Sequence, residues 1–88
     1  MEIKYEARFE KDLKKIKDVS LLKRVKKLIY ITKKANSILD MSQIKKLKGH
    51  NSYYRFKIGN YRIGFEIVNE IVIFTRVLHR KDIYRYFP

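Results

Sequence analysis

The sequence contains no cysteine and few acidic residues: nine Asp and Glu stand against 22 Lys and Arg in 88 residues. Without cysteine, the chain cannot form a disulfide, use a thiol nucleophile or bind a metal through thiolates. This absence agrees with a reducing compartment, and we expect the protein in the cytoplasm. The acidic residues are scattered along the chain, which argues against paired-carboxylate or two-metal chemistry.

The sequence also lacks the motifs of several other protein classes. It has three glycines and no glycine-rich phosphate loop, and it has no helical zinc motif. Its two histidines, His50 and His79, lack the neighbouring ligands that a metal site needs. The N-terminal segment alternates charged and apolar residues, and no apolar run is long enough to cross a bilayer. We therefore expect no metal, no cofactor and no membrane span.

What the sequence does have is positive charge. The formal net charge is +13, and such a field attracts polyanions. A nucleic acid, an anionic membrane face and an acidic protein all fit that field. A lysine-rich proteome, which places Lys on every surface, would explain the helical lysines equally well. It explains the C-terminal segment 76–88 poorly, because arginine and tyrosine dominate there.

The spacing of apolar residues predicts a single domain over residues 1–88. Ile3 and Tyr5 alternate with charged residues, which indicates a short strand. From about Ala7 the spacing becomes helical, and Ser20 is a suitable N-cap for a second helix. From Tyr53 onward the period is two, and turn signals at 59–60 and 69–70 divide this part into three strands.

These elements predict an α+β fold. An N-terminal strand precedes an antiparallel helical hairpin, which packs on one face of an antiparallel sheet. A C-terminal three-stranded meander completes that sheet, and a short C-terminal tail or helix follows.

The sheet face away from the helices is predicted to be cationic. Strand alternation places Arg55 and Lys57 opposite the core residues of their strand, and Arg62 does the same on the next strand. Like charges on adjacent strands repel one another, and a bound phosphate backbone would relieve that repulsion. Exposed sheet faces also carry Arg and Lys without any function, so the strand cations alone leave both interpretations open.

The C-terminal segment adds groups suited to RNA. Arginine makes bidentate contacts to phosphate, tyrosine offers a flat face to an unstacked base, and histidine can move protons near neutral pH. Tyr84 lies on the same side as Arg80 whether the tail is helical or extended, whereas Tyr86 joins them only in an extended tail. In a helical tail, Ile83 and Phe87 would pack against the domain. His79 as an ordinary surface imidazole, and the tyrosines as amphipathic packing, remain the alternative.

The segments YYRFKIGNYRIGFEI (53–67) and RVLHRKDIYRYF (76–87) resemble the RelE/ParE toxin superfamily of type II toxin–antitoxin modules. The resemblance covers nearly the whole chain, and the tail is more similar to the mRNA-cleaving RelE branch than to the gyrase-poisoning ParE branch. It implies a ribosome-dependent, metal-independent endoribonuclease, in which the 2′-hydroxyl of mRNA attacks the adjacent phosphate in the decoding site. It also implies three partners: mRNA, the ribosome with its 16S rRNA, and a cognate antitoxin.

The resemblance further implies roles for individual residues. Lys57 matches a catalytic lysine that acts as base or electrostatic clamp, and Arg62 matches a phosphate-binding arginine. Arg80 matches an arginine that stabilises the transition state or protonates the leaving group. Tyr84 or Tyr86 matches the tyrosine that stacks on the codon, and Tyr84 is preferred for its spacing from Arg80.

Arg55 departs from the family pattern, because it stands where some members have a second lysine. A permanently charged guanidinium cannot easily act as a base, so His79 is the candidate general acid or base that compensates. The other predicted substrate contacts are cationic: Arg76, Lys45, Lys46 and Lys48.

Two other functions stay open at this point. A ParE-like poison of DNA gyrase would have no nuclease site and would act on a protein. A non-catalytic basic RNA-binding module would bind RNA with steep salt dependence but would not cleave it.

Overall fold

A five-stranded mixed sheet forms the centre of the computed structural model, which describes the backbone of residues 1–88 and every side chain except that of Leu39. The strand order is β1-β5-β4-β3-β2. The elements in chain order are β1 (Glu2–Tyr5), α1 (Ala7–Lys15), α2 (Val19–Lys34), a 3₁₀ turn (Ile38–Asp40), β2 (Ile44–Lys46), β3 (Tyr53–Ile58), β4 (Tyr61–Val68), β5 (Ile71–His79) and α3 (Ile83–Tyr86).

The predicted α+β fold is confirmed, with two additions to the sheet. β1 pairs with β5 in parallel, so the sheet is mixed rather than wholly antiparallel. β2 extends the sheet on its other side by pairing antiparallel with β3. Three residues are too few for a period of two to be recognised, and the sequence therefore predicted no strand there.

Both predicted hairpin turns are present and set the register of the meander. Ile58 pairs with Tyr61 across the first turn, and Val68 pairs with Ile71 across the second. Gly59, Asn69 and Glu70 have φ of 55°, 50° and 66°, and tight two-residue turns require such left-handed values.

The main core lies between the two helices and one face of the sheet. Phe9 of α1 and Val25 of α2 are buried against fully buried phenylalanines from the three meander strands. Phe56 and Phe65 stack with their ring centroids 4.6 Å apart. This core uses the side chains that the period of two assigned to the helix-covered face.

The start of α2 differs from the prediction. Ser20 is already helical, and Asp18 is the N-cap: its Oδ1 accepts a hydrogen bond from Leu21 N at 3.1 Å. Asp and Ser are comparable N-caps, and the helix begins at Val19, two residues earlier than a Ser20 N-cap would place it. Among the described residues, no helix is both long and apolar enough to span a membrane.

A second, smaller core lies on the opposite face of the sheet. The tail after β5 forms the helical turn α3, and Ile83 and Phe87 are 0% and 3% exposed. They pack against Leu47, Tyr53 and Leu78. The spacing of Ile83 and Phe87 therefore did predict how a helical tail packs, and α3 covers part of the face that also carries the strand cations.

Candidate functional site

The β3–β4 hairpin places cations side by side on the sheet face that the helices do not cover. Lys57 is directly opposite Arg62 in the register, and Arg55 is opposite Gly64. Phe56 and Ile58, which alternate with these residues, are buried on the helix side. The alternation forces Arg55 and Lys57 to the other side, as predicted.

The first hairpin turn also brings Arg62 and Arg80 together. Arg62 NH1 donates to the carbonyl oxygens of Gly59 and Tyr61, each at 2.9 Å, which holds its guanidinium over the turn. Arg80 N donates to Asn60 O at 2.7 Å, so the chain leaving β5 is fixed to the same turn. The Arg62 guanidinium is therefore held by its own hydrogen bonds to the turn, and the main chain of Arg80 is attached to the same turn.

The tail completes the cluster. α3 lies across the sheet, and Arg55 Nε donates to the hydroxyl oxygen of Tyr84 at 2.9 Å. The Tyr84 side chain is otherwise open, with the residue 63% exposed. An exposed aromatic face beside a guanidinium is suited to an unstacked base next to a phosphate.

The charges in this cluster act on one another. Partial burial lowers the pKa of Arg62, and the positive charges of Arg55 and Arg80 lower it further, while Tyr84 acts in the opposite direction. Among the described residues, no carboxylate lies within ion-pair distance of these three arginines; the ion pairs are elsewhere, at Arg8–Glu6 and Arg76–Asp12. In the part of the chain that the structure describes, the cluster is a set of converging cations without a carboxylate partner.

A cleft of about 500 Å³ opens beside the cluster. The loop after β2 forms one wall and α3 forms the other. Leu47 and Phe87 supply an apolar surface within it. Its polar lining consists of the three lysines predicted to contact substrate, a histidine to which the sequence assigned no role, and two residues of the cluster. These are Lys45, Lys46, Lys48, His50, Arg55 and Tyr84.

Arg76 does not join the cluster. Its Nε donates to Asp12 Oδ2 at 2.8 Å, and its NH2 donates to Asp12 Oδ1 at 3.0 Å. Asp12 Oδ2 also accepts a hydrogen bond from Val77 N at 3.0 Å. β1 ends its pairing at Phe74, so this amide on the edge of β5 would otherwise lack a strand partner. Arg76 thus has a structural contact where we predicted a substrate contact, and its partner Asp12 is buried.

His79 and Tyr86 also lie away from the arginine cluster. His79 is opposite Tyr61 in the register, on the helix side, whereas Leu78 is opposite Arg62. His79 Nδ1 accepts a hydrogen bond from Lys81 N at 3.2 Å. Side chains two residues apart in a helix point in directions about 200° apart around its axis, so Tyr86 points away from Tyr84. His79 and Tyr86 line a separate cavity of about 400 Å³ with Asp12, Arg76 and Asp82.

The structure therefore brings together part of the predicted site. Arg55, Arg62, Arg80 and Tyr84 interact, Lys57 lies beside Arg62, and the three lysines line the adjoining cleft. Among the described residues, no three His, Asp or Glu side chains are grouped so that they could hold a metal ion.

Comparison with known proteins identifies similar chains. A family described as "ParE toxin of type II toxin-antitoxin system, parDE" has a sequence profile that matches residues 3–84. Toxin RelE3 of Methanocaldococcus jannaschii is 46% identical over 89 residues, covering 100% of both chains. The toxin in a RelB–RelE antitoxin–toxin complex from Methanococcus jannaschii aligns with TM-score 0.83 and 45% identity, covering 97% of this chain and 99% of that one. An archaeal RelE–RelB complex from Pyrococcus horikoshii OT3 has the same fold, with TM-score 0.71 at 17% identity, covering 90% of this chain and 93% of that chain.

Proposed function

The chain belongs to the ParE toxin family of type II toxin–antitoxin systems, and from its 46% identity to Toxin RelE3 we propose that it is a ribosome-dependent endoribonuclease of the RelE kind. The observation that carries this proposal is the convergence of Arg55, Arg62 and Arg80 with the Tyr84 hydroxyl on an open sheet face. Cations held together without a carboxylate are suited to a ligand that brings several negative charges. A single-stranded RNA backbone is such a ligand.

The proposed reaction is a transesterification within the RNA. A base takes the proton of the 2′-hydroxyl, and that oxygen forms a bond to the adjacent phosphorus. The bond from phosphorus to the 5′ oxygen then breaks, and an acid protonates the leaving oxygen. The products are a 2′,3′-cyclic phosphate and a 5′-hydroxyl, so no water and no external nucleophile is consumed.

The residues divide these tasks by position. Arg62 and Arg80 surround the turn at 59–60 and would hold the charge of the pentavalent phosphorane, which is the largest electrostatic demand of the reaction. Lys57 is exposed beside Arg62 and acts as base or electrostatic clamp. Tyr84 would stack on a base of the codon while Arg55 fixes its hydroxyl. His79 is outside this arrangement because it lies on the helix side of the sheet.

A brief induction in cells followed by mapping of mRNA 5′ ends tests the proposal. The wild-type chain should produce new 5′ ends within translated codons and arrest growth. Arg80→Ala should reduce both by at least about a hundredfold, because it removes a phosphate-stabilising cation whose side chain anchors no part of the fold. Arg8→Ala is the matched control, since it removes an exposed arginine from α1 and should leave the ends unchanged. Arg80→Ala with intact folding and undiminished cleavage would contradict the assignment.

A ParE-like action on DNA gyrase is the second candidate, because the matching family is described by the ParE name. It predicts DNA damage and stalled replication after induction, without new mRNA ends in coding regions. The same induction therefore separates the two functions. A basic module that only binds RNA would produce neither outcome.

We also propose that a cognate antitoxin binds this chain, since similar toxins have been solved with RelB. The net charge of +13 favours an antitoxin segment with acidic and apolar residues. Such a segment would neutralise the toxin by covering Arg62 and Arg80 or by displacing the tail. Hydrogen exchange of the complex tests this: protection around residues 59–62 and 80, or loss of protection in α3, is expected. An unchanged pattern at both places would contradict it.

A further inference from the structure

The α3 turn holds a site residue but has little stability of its own. It spans four residues, and a single helical turn is not stable in water without packing. Its attachment to the sheet depends on the buried side chains of Ile83 and Phe87. The position of Tyr84, between these two anchors, is therefore decided by how they dock.

Gly64 of β4 forms the seat for one anchor. A Cβ atom built on Gly64 would lie 2.7 Å from three atoms of the Phe87 ring, closer than real Cβ contacts come. The backbone of Gly64 does not have the left-handed φ that requires glycine. Position 64 requires glycine because the Phe87 ring approaches the strand too closely for a Cβ atom.

The surroundings of the ring leave it little room to move aside. Tyr53 meets Phe87 edge to face with the centroids 5.6 Å apart, and Leu47 and Leu78 complete the smaller core. Gly64 is also the residue opposite Arg55 in the register. The strand position that receives Phe87 is thus adjacent to the one that presents the hydrogen-bond donor to Tyr84.

We propose that Gly64 and Phe87 are positioning residues, which form a lock that holds the Tyr84 hydroxyl on Arg55 and closes one wall of the adjoining cleft. Neither residue takes part in the chemistry. Seating the ring on the glycine fixes α3 against β4 and orients the exposed face of Tyr84 beside the arginine cluster. The consequence for RNA cleavage rests on the proposed function, whereas the lock itself is a property of the free protein.

The lock is tested without RNA by nuclear magnetic resonance of the Arg55 Nε–H group. In the wild-type chain this group should exchange its proton more slowly than in Tyr84→Phe, because it donates to the Tyr84 hydroxyl, and that difference is the protection that the test measures. Gly64→Ala should remove that protection while the amide signals of β3, β4 and β5 stay dispersed. Tyr84→Phe is the reference for a lost hydrogen bond with a docked tail. Protection in Gly64→Ala equal to that of the wild type would overturn the proposal.

Two further variants keep the test decisive if alanine at position 64 disturbs the strand. Phe87→Ala changes no residue of the strands and should also abolish protection of Arg55 Nε–H. Gly64→Ala combined with Phe87→Leu replaces the ring by a smaller side chain and should restore part of the protection. Failure of Phe87→Ala to affect the signal would overturn the lock, as would a double variant that is folded but no better than Gly64→Ala.

Cleavage on programmed ribosomes gives the second readout. Gly64→Ala should lower the cleavage rate about a hundredfold, the order expected when a positioned group moves by about 1 Å. Addition of Phe87→Leu to Gly64→Ala should recover part of that rate. If the Arg55 signal follows the lock but even the wild-type chain does not cut mRNA, the proposed function fails and the lock stands. If the wild-type chain cuts and Gly64→Ala cuts equally well, the lock has no role in the site.

Discussion

Asp12 binds both a side chain and a backbone amide at the edge of the sheet. Its carboxylate accepts hydrogen bonds from two nitrogens of Arg76 and from Val77 N, at distances of 2.8 to 3.0 Å. The Asp12 side chain is 4% exposed and that of Arg76 17% exposed. Asp12 raises the pKa of Arg76, first through their hydrogen bond. A raised pKa means that the charged Arg76 stabilises the folded chain below the pKa it has when unfolded. This contribution is lost only in strong alkali, where Arg76 loses its proton.

Asp12→Ala should lower the free energy of unfolding by about 3 kcal/mol. It leaves the Val77 amide and a mostly buried guanidinium without partners, and removal of one member of a buried pair costs that order. Urea unfolding measures the loss. Arg8→Ala is the control, because it breaks an exposed pair with Glu6 and should cost no more than about 0.5 kcal/mol. Equal effects of the two substitutions would show that the Asp12 contact is not structural.

The arginine cluster should reduce stability in the absence of a ligand. Arg80 lowers the pKa of Arg62, so their charges repel each other in the folded chain. Arg80→Ala should therefore raise Tm at low salt by about 2 °C relative to Lys17→Ala, which lowers the net charge equally but away from the cluster. The difference should vanish near 1 M salt, where the screening length is about 3 Å. A lower Tm for Arg80→Ala at low salt would mean that Arg80 has a stabilising partner.

At the scale of elements, the sequence predicted those whose patterns are long. Tyr53–Ile58 and Tyr61–Val68 alternate strictly enough to assign the two faces. The sequence left the tail helical or extended, and the spacing of Ile83 and Phe87 predicted the packing of a helical tail. β2 was missed because three residues carry no period. The Gly64–Phe87 contact was missed because local spacing says nothing about which strand residue lies beneath a ring 23 positions later.

The same limit applies to the candidate site. Alternation placed Arg55, Lys57 and Arg62 on one face, but it cannot show whether a cation has a buried partner. Arg76 was assigned to substrate for that reason, since Asp12 is 64 positions away in the chain. His79 was assigned to the site as a titratable group that could compensate for Arg55, but strand register places it on the helix side of the sheet.

The N-terminus of α2 offers a test at this scale. Asp18→Ala should lower the free energy of unfolding by about 1 kcal/mol, because Leu21 N loses the acceptor that caps the helix. Ser20 is the second residue of α2, and Ser20→Ala should change the free energy of unfolding by less than about 0.5 kcal/mol. Chemical unfolding of both variants distinguishes them. The opposite order would mean that Ser20 is the cap.

For the whole molecule, the two faces of the sheet have separate tasks. One face is closed by α1 and α2 and contains the main core, while the other is closed only in part by α3. The open remainder carries the arginine cluster and the adjoining cleft, in a chain of net charge +13. The molecule as a whole is thus suited to long-range attraction of a polyanion, and the open face carries the cations that the proposed function assigns to it.

The most direct test of the proposed chemistry uses programmed ribosomes whose mRNA carries a single 2′-deoxy nucleotide at the cut position. The purified chain should cleave the all-ribose mRNA to a 2′,3′-cyclic phosphate and a 5′-hydroxyl. It should leave the 2′-deoxy message intact, because the attacking hydroxyl is missing. Cleavage of the 2′-deoxy message at the same position and rate would contradict the account.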